Sequence, residues 1–178
     1  KMSEELFAWM FILIMVGGNE STRTAIAHGM RLLIENPDQL QHLVQHPEDI
    51  SHAVEEMLRW ASPTMYFRRT ATEDVDYKGH HIKQGDKVIL WFVSANRDQA
   101  VFADPFQINI GRDPNPHLAF GQGGVHLCLG MWLARLEVRI ILEELSKRLT
   151  TFEAIGPPSW TRSNFICGVK SLPVRVTR

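Results

Sequence analysis

The chain predicts a mainly α-helical protein with small β-sheets, an α+β class, and three features of the sequence carry that expectation. Residues 3–34 and 128–148 are built of good helix formers with apolar residues three to five apart. Residues 64–93 break instead into short β-rich runs separated by turn residues, and residues 169–176 add at least one more strand. At 178 residues, with 44% hydrophobic and 22% charged content, the chain is long enough to bury a core of its own.

Composition excludes several classes. A formal net charge of -1, without a run of Lys and Arg, argues against a general nucleic-acid binder. Cys128 and Cys167 stand in unrelated contexts without CxxC spacing, which gives no disulfide framework and no zinc signature and fits a reducing cytoplasm. The apolar run 6–16 is too short to cross a bilayer and continues into a polar segment, so it reads as a buried helix; no signal peptide or membrane anchor is expected.

Taken in order, Ser3 ahead of Glu4 and Glu5 starts a helix that Asn36-Pro37 ends. A helix of roughly 30 residues is about 45 Å long and crosses a whole domain. At its middle stand Gly17 and Gly18, each costing about 1 kcal/mol relative to alanine. The segment around them, from Val16 through Glu20 and Ser21, leaves two readings: a kink or close helix packing, or an opening with a function. Residues 38–44 and 48–60 read as shorter helices ended by His46-Pro47 and Ser62-Pro63. Glu56 and Arg59 share a face of the second; taken alone, such a pair describes a solvated contact of little worth.

Strands follow at 66–72, 75–77, 82 and 87–93, with turns at Lys78-Gly79 and Gln84-Gly85-Asp86. Arg68-Arg69 in the first strand put one side chain outward and one inward, and the inward one needs an anion. A short helix is expected from residue 95 to 102, then a long irregular connection through Asp104-Pro105 and residues 112–116. An apolar, glycine-rich loop, residues 119–127, then delivers Cys128 to the start of the last long helix. Gly121, Gly123 and Gly124 let the backbone approach something flat and bulky, and Phe120 can cover one side of it. A thiol there faces unpaired backbone N–H groups and the positive helix end, a place suited to a sulfur anion; the alternative is a buried core cysteine in an ordinary turn. Leu129, Trp132, Leu133, Leu136, Ile140 and Leu145 form the face expected to pack inward, with Arg135 and its charged neighbours outward. Gly156-Pro157-Pro158 ends that helical region, and residues 165–168 read as a turn between strands.

The stretch Phe120-Gly121-x-Gly123-Gly124-x-His126-x-Cys128-x-Gly130 resembles the haem-ligand signature of the cytochrome P450 family, with one more residue between phenylalanine and cysteine than its commonest form. That variant looks like a bacterial subgroup acting on sterol side chains and methyl-branched lipids. Glu56-x-x-Arg59 is similar to the family's ExxR motif, and Gly17-Gly18 with Glu20 and Ser21 to its oxygen-binding groove, serine standing where threonine is commoner. The resemblance covers essentially the whole chain. It implies the C-terminal half of the P450 fold, from the oxygen-groove helix to the C-terminus, as a single haem-binding portion over residues 1–178 with the N-terminal half absent.

It further implies haem b with Cys128 as the iron ligand, Phe120, Gly121, Gly130, Gly17 and Gly18 against the ring, and Arg69, His117 and His126 on the propionates. Glu20 and Ser21 would relay protons. Glu56 and Arg59 would form a buried pair, completed by Arg112 in place of the arginine that many relatives put where Gln107 stands. Val16, Thr64, Met65 and Phe165 would border the substrate pocket. The implied activity is hydroxylation of a hydrophobic lipid, sterol or terpenoid-like molecule with dioxygen. Electrons would come from NAD(P)H through a ferredoxin/ferredoxin reductase-type partner, since the chain has no flavin or iron–sulfur motif. The alternative is a catalytically incomplete haem-binding or self-associating fragment, with Phe7, Trp9, Phe11 and Ile12 exposed on the long helix.

Overall fold

A computed structural model describes residues 2–148 and 151–177. The first helix, α1 (Glu4–Glu35), runs unbroken through both glycines, its start capped by the Ser3 side chain, which accepts from the Leu6 N–H at 3.2 Å. The Asn36 N–H and Nδ2 both bond the Leu32 carbonyl and end it, and Pro37 opens α2 (Pro37–Gln45) in the first turn, where a missing N–H does no harm. A 3₁₀ turn (Pro47–Asp49) leads into α3 (Ile50–Ala61).

Among the described residues the strands pair in four separate antiparallel ladders. β1 (Tyr66–Thr70) pairs with β4 (Lys87–Trp91), and β2 (Val75–Tyr77) with β3 (His80–Ile82). After the last helix, β5 (Thr151–Ala154) pairs with β8 (Val174–Thr177), and β6 (Ser159–Trp160) with β7 (Val169–Ser171). The helix expected over 95–102 is instead one turn, α4 (Phe92–Ala95), followed by turns. The reason is that Asn96 is fully buried and its side chain is spent on Ser62 and the Leu118 N–H, while Asp98 caps the Ala100 N–H; such local bonds compete with a continuing helix.

The core is small and lies at one end of α1. Ala25 and Leu33 of α1 pack with Leu43, with Ile50, Ala53, Val54, Met57, Leu58 and Ala61 of α3, with Ile110, and with Val138 and Leu142 of α5 (Met131–Arg148). Gly29 is the point of closest approach: a Cβ there would stand 2.6 Å from the buried Met57 Sδ. The N-terminal half of α1 is not the buried helix its sequence suggests. Phe7, Trp9, Phe11 and Ile12 are all at least half exposed, because the elements packed on α1 reach only its C-terminal half.

The last long helix also departs from expectation, in its start and its facing. It begins at Met131, three residues after Cys128. Its inward stripe is Arg135, Val138 and Leu142, whereas Leu129, just ahead of it, and Trp132 are 86% and 71% exposed, with Leu133, Leu136 and Ile140 open beside them. Both stripes are compatible with a helical repeat; α3 contacts the narrower one.

Candidate functional site

The site is built outward from α3. Glu56 and Arg59, one turn apart, are both 0% exposed and pair in two parallel bonds, Nε to Oε2 at 2.7 Å and Nη2 to Oε1 at 2.8 Å. Arg59 also donates from Nη1 to the carbonyls of Asn96 and Pro105, at 2.7 and 3.0 Å. Glu56 takes three further donors from the irregular segment before the cysteine loop: the Asn109 N–H at 3.0 Å, Arg112 Nε at 3.2 Å and Asn115 Nδ2 at 3.0 Å. Burial by itself would raise the Glu56 carboxyl; the Arg59 bond, the Asn109 N–H and the two guanidinium charges overrule it and hold the pKa below the ordinary value. Gln107 contributes its carbonyl, to Arg59 and Arg112 at 3.4 Å each. Asn96, Asn109 and Asn115 went unmarked in the sequence, although Asn115 lies between two prolines in a segment already noted as irregular.

Glu55, also unmarked, faces another direction. His117 Nε2 lies 2.9 Å from Glu55 Oε2, and Arg135 of α5 donates to both carboxylate oxygens at 2.7 and 2.8 Å. Burial would raise this carboxyl as well, but the His117 and Arg135 bonds bring it down to about 2.

The cysteine loop hangs from this scaffold. Gly121, Gly123 and Gly124 have φ of 73°, 69° and 69°, the left-handed region open to glycine at little cost. The loop closes on itself through the Cys128 N–H, which donates to the Phe120 carbonyl at 3.0 Å. Cys128 is a free, exposed thiol, His126 is exposed, and Val125 is 95% exposed beside the open Leu127 and Leu129. A Cβ at Gly123, Gly124 or Gly130 would meet nothing within 4 Å. Phe120 turns back toward the core, with the Arg135 guanidinium 4.6 Å from its ring centre.

A second group converges on the middle of α1. Ser21 Oγ donates to the Gly17 carbonyl at 2.6 Å, and Glu20 pairs with Arg23. Gly17 and Gly18 have open space where a Cβ would stand, so close packing among the described residues does not account for them. The 165–168 turn comes up against this helix: His28 Nε2 donates to the Cys167 carbonyl at 2.6 Å, and a Cβ at Gly168 would lie 3.8 Å from Glu20 Oε1. Burial lowers the His28 pKa below the usual imidazole value, against the opposing pull of the Cys167 carbonyl. The same turn meets the start of β1: the Met65 N–H donates to the Phe165 carbonyl at 2.9 Å, Thr64 bridges Ile166, and the Phe165 ring stands edge-on to Tyr66 and Phe67, 5.7 Å from each. Val16 is exposed on the same stretch of α1.

Two expectations change. Arg69 is not inward: it and Arg68 are both exposed, because Phe165 and Phe92 cover only the Tyr66–Phe67 end of the β1–β4 ladder among the described residues, and Arg69 Nη1 donates to the Arg68 carbonyl. His117 is not open to an outside anion, since its side chain is 2% exposed and both ring nitrogens are engaged.

The surroundings of Cys128 fit a flat, apolar group carrying a thiolate-liganded metal: an unpaired sulfur, a backbone that leaves room at three glycines, and uncovered apolar side chains on both sides. No cluster of three or more His, Cys, Asp or Glu able to hold a bare metal ion occurs among the described residues, so a metal here would bring most of its own ligands.

Such surroundings suit a haem-thiolate class of site, and comparison with known proteins gives the family. The cytochrome P450 pattern matches residues 1–158, and the chain belongs to that family. It is 46% identical over 175 residues to a methyl-branched lipid omega-hydroxylase of Mycobacterium tuberculosis, covering 98% of this chain and 41% of the relative. A steroid C26-monooxygenase of Mycolicibacterium smegmatis is 39% identical over 178 residues, covering 99% and 41%. The solved structure of P450BioI, in complex with an acyl carrier protein ligated to hexadec-9Z-enoic acid, superposes with a TM-score of 0.95 at 38% identity, over 99% of this chain and 46% of that one. The fold described above is thus the C-terminal part of the P450 fold, and the chain spans about two fifths of the length of these curated relatives.

Proposed function

We propose that this chain is the haem-ligating part of a monooxygenase that hydroxylates a hydrophobic, lipid- or sterol-like substrate. One observation carries the reading: an exposed, unpaired Cys128 at the end of a left-handed glycine loop whose anchor is the fully buried Glu56–Arg59 pair. Haem b, when bound, supplies activation of dioxygen, one atom entering a C–H bond and the other leaving as water with two electrons and two protons. Cys128 Sγ would hold the iron, Gly121, Gly123, Gly124 and Gly130 would leave the ring room to approach, and His126 would meet a propionate. Arg69, whose Nη1 donates to the Arg68 carbonyl, would offer its remaining N–H groups to a propionate.

Ser21 and Glu20 handle protons. The Ser21 hydroxyl rests on the Gly17 carbonyl and can turn its proton outward, and Glu20, one residue before it, pairs with the exposed Arg23. Thr64, Met65 and Phe165, brought together by the β1 start and the 165–168 turn, form an apolar wall that orients substrate and excludes water. The names of the two curated relatives support a lipid or steroid substrate. Electrons arrive from a separate ferredoxin-type donor fed by NAD(P)H, and the two free cysteines suit a reducing cytoplasm. No helix among the described residues is long and apolar enough to cross a membrane.

The test is the absorption spectrum of the chain loaded with haem, reduced and exposed to carbon monoxide. A strongly red-shifted Soret band that disappears in Cys128→Ser is expected; an unshifted band in both proteins would overturn thiolate ligation. A second reading rests on the uncovered apolar half of α1: the chain by itself holds haem without turning over and associates with copies of itself.

A further inference from the structure

We infer that Glu55 is a positioning residue for the cysteine loop, acting through His117 and Arg135, and that α3 therefore carries two adjacent carboxylates with separate tasks. Consecutive helix residues do not share a face. Glu56 accordingly gathers Arg59, Arg112, Asn109 and Asn115 on one side, while Glu55 gathers His117 and Arg135 on the other.

The connection from Glu55 to Cys128 is continuous. The Ala119 N–H donates to His117 Nδ1 at 3.2 Å, so that nitrogen carries the lone pair and Nε2 carries the proton it gives to Glu55. His117 thereby pins the backbone at Ala119, one residue before Phe120. From the other side, Glu55 holds the Arg135 fork in a bidentate bond, and that guanidinium lies over the Phe120 ring at 4.6 Å and near the Trp132 ring at 5.2 Å. Phe120 is held by its backbone neighbour and by its ring, and its carbonyl receives the Cys128 N–H. One carboxylate thus ties α3, α5 and the loop together at the residue that sets the thiol's position. This gives His117 a task inside the protein, not on a propionate.

The inference rests on the proposed thiolate role of Cys128 for its meaning and not for its test. Amide hydrogen exchange is measured on the haem-free chain for wild type, Glu55→Gln, Glu55→Asp, Arg135→Lys and a core control, Leu142→Ala. A glutamine has one acceptor oxygen and turns an N–H group toward Arg135, so the Ala119 and Cys128 amides of Glu55→Gln are expected to exchange about tenfold faster or more. Glu55→Asp should recover part of that protection, and Leu142→Ala should speed exchange across the core without singling out the loop. Equal exchange at the loop in Glu55→Gln and Leu142→Ala would overturn the inference. In the haem-loaded proteins, Glu55→Gln should show a larger unshifted share of the reduced carbon monoxide band than wild type. A wild type with no red-shifted band would count against haem-thiolate ligation alone and leave the exchange result to decide Glu55.

Discussion

Glu56 and Glu55 show how differently two neighbouring carboxylates are used. Glu56 is fully buried against Arg59, and removing one partner of such a pair leaves a buried charge without compensation, a loss of about 3–5 kcal/mol. Glu56→Ala should therefore lower the unfolding free energy by about 3–5 kcal/mol, read by chemical denaturation. A loss under about 1 kcal/mol would mean the pair is not the anchor described here. Glu55 is partly exposed, and its effect is visible in pH dependence. Its folded-state carboxyl lies at about 2 against an unfolded value of 4.5, so the native chain binds fewer protons between those values. The stabilisation is complete above about pH 4.5 and is lost as pH falls toward 2. Glu55→Gln should flatten the fall of the melting temperature across that window. Some slope remains, since Glu56 is held down by its own partners.

At the scale of the elements, the three glycines of α1 separate into two kinds. Gly17 and Gly18 have open space around them, so Gly17→Ala should raise the stability of this chain by up to about 1 kcal/mol, the intrinsic helix cost of glycine. Gly29 is where α1 meets α3, and Gly29→Val should cost about 1–3 kcal/mol by driving into Met57. Thermal denaturation of the two variants should move in opposite directions; a loss in Gly17→Ala would show an unseen packing role there. No packing among the described residues offsets the cost of Gly17 and Gly18, which supports their place in the proposed oxygen groove. In α5 the inward stripe is short and includes a charge, while the wide apolar stripe faces out.

For the molecule as a whole, the uncovered surfaces dominate. Phe7 and Phe11 stack one turn apart, 6.5 Å between ring centres, on a helix half that packs against nothing else among the described residues. A continuous apolar ridge of this kind drives association in water. Sedimentation of the isolated chain should show concentration-dependent oligomers, and Phe7→Glu with Phe11→Glu should weaken association by about tenfold or more, roughly 1.4 kcal/mol. A wild type that stays monomeric at all concentrations would refute self-association through α1.

Much of this protein was legible as local pattern. The bounds of α1 follow from Ser3 and Asn36-Pro37, the hairpin turn at Lys78-Gly79 from its residues, and the Glu56–Arg59 spacing from one helical turn, because caps, turns and i,i+3 neighbours depend only on nearby chain. The cysteine loop and its glycines were visible for the same reason. What the tertiary structure alone decided is which side of each element is inside. The sequence shows that α5 has an apolar stripe, but α3 chooses the other one and draws Arg135 inward to Glu55. His117 looked solvated or anion-facing until Glu55, 62 residues away, closed on it. Arg69 reads as inward from strand alternation, yet its side chain is exposed because the covering rings reach only the Tyr66–Phe67 end of its ladder. Burial is a property of the neighbours an element meets, and those neighbours come from distant parts of the chain that no local period records.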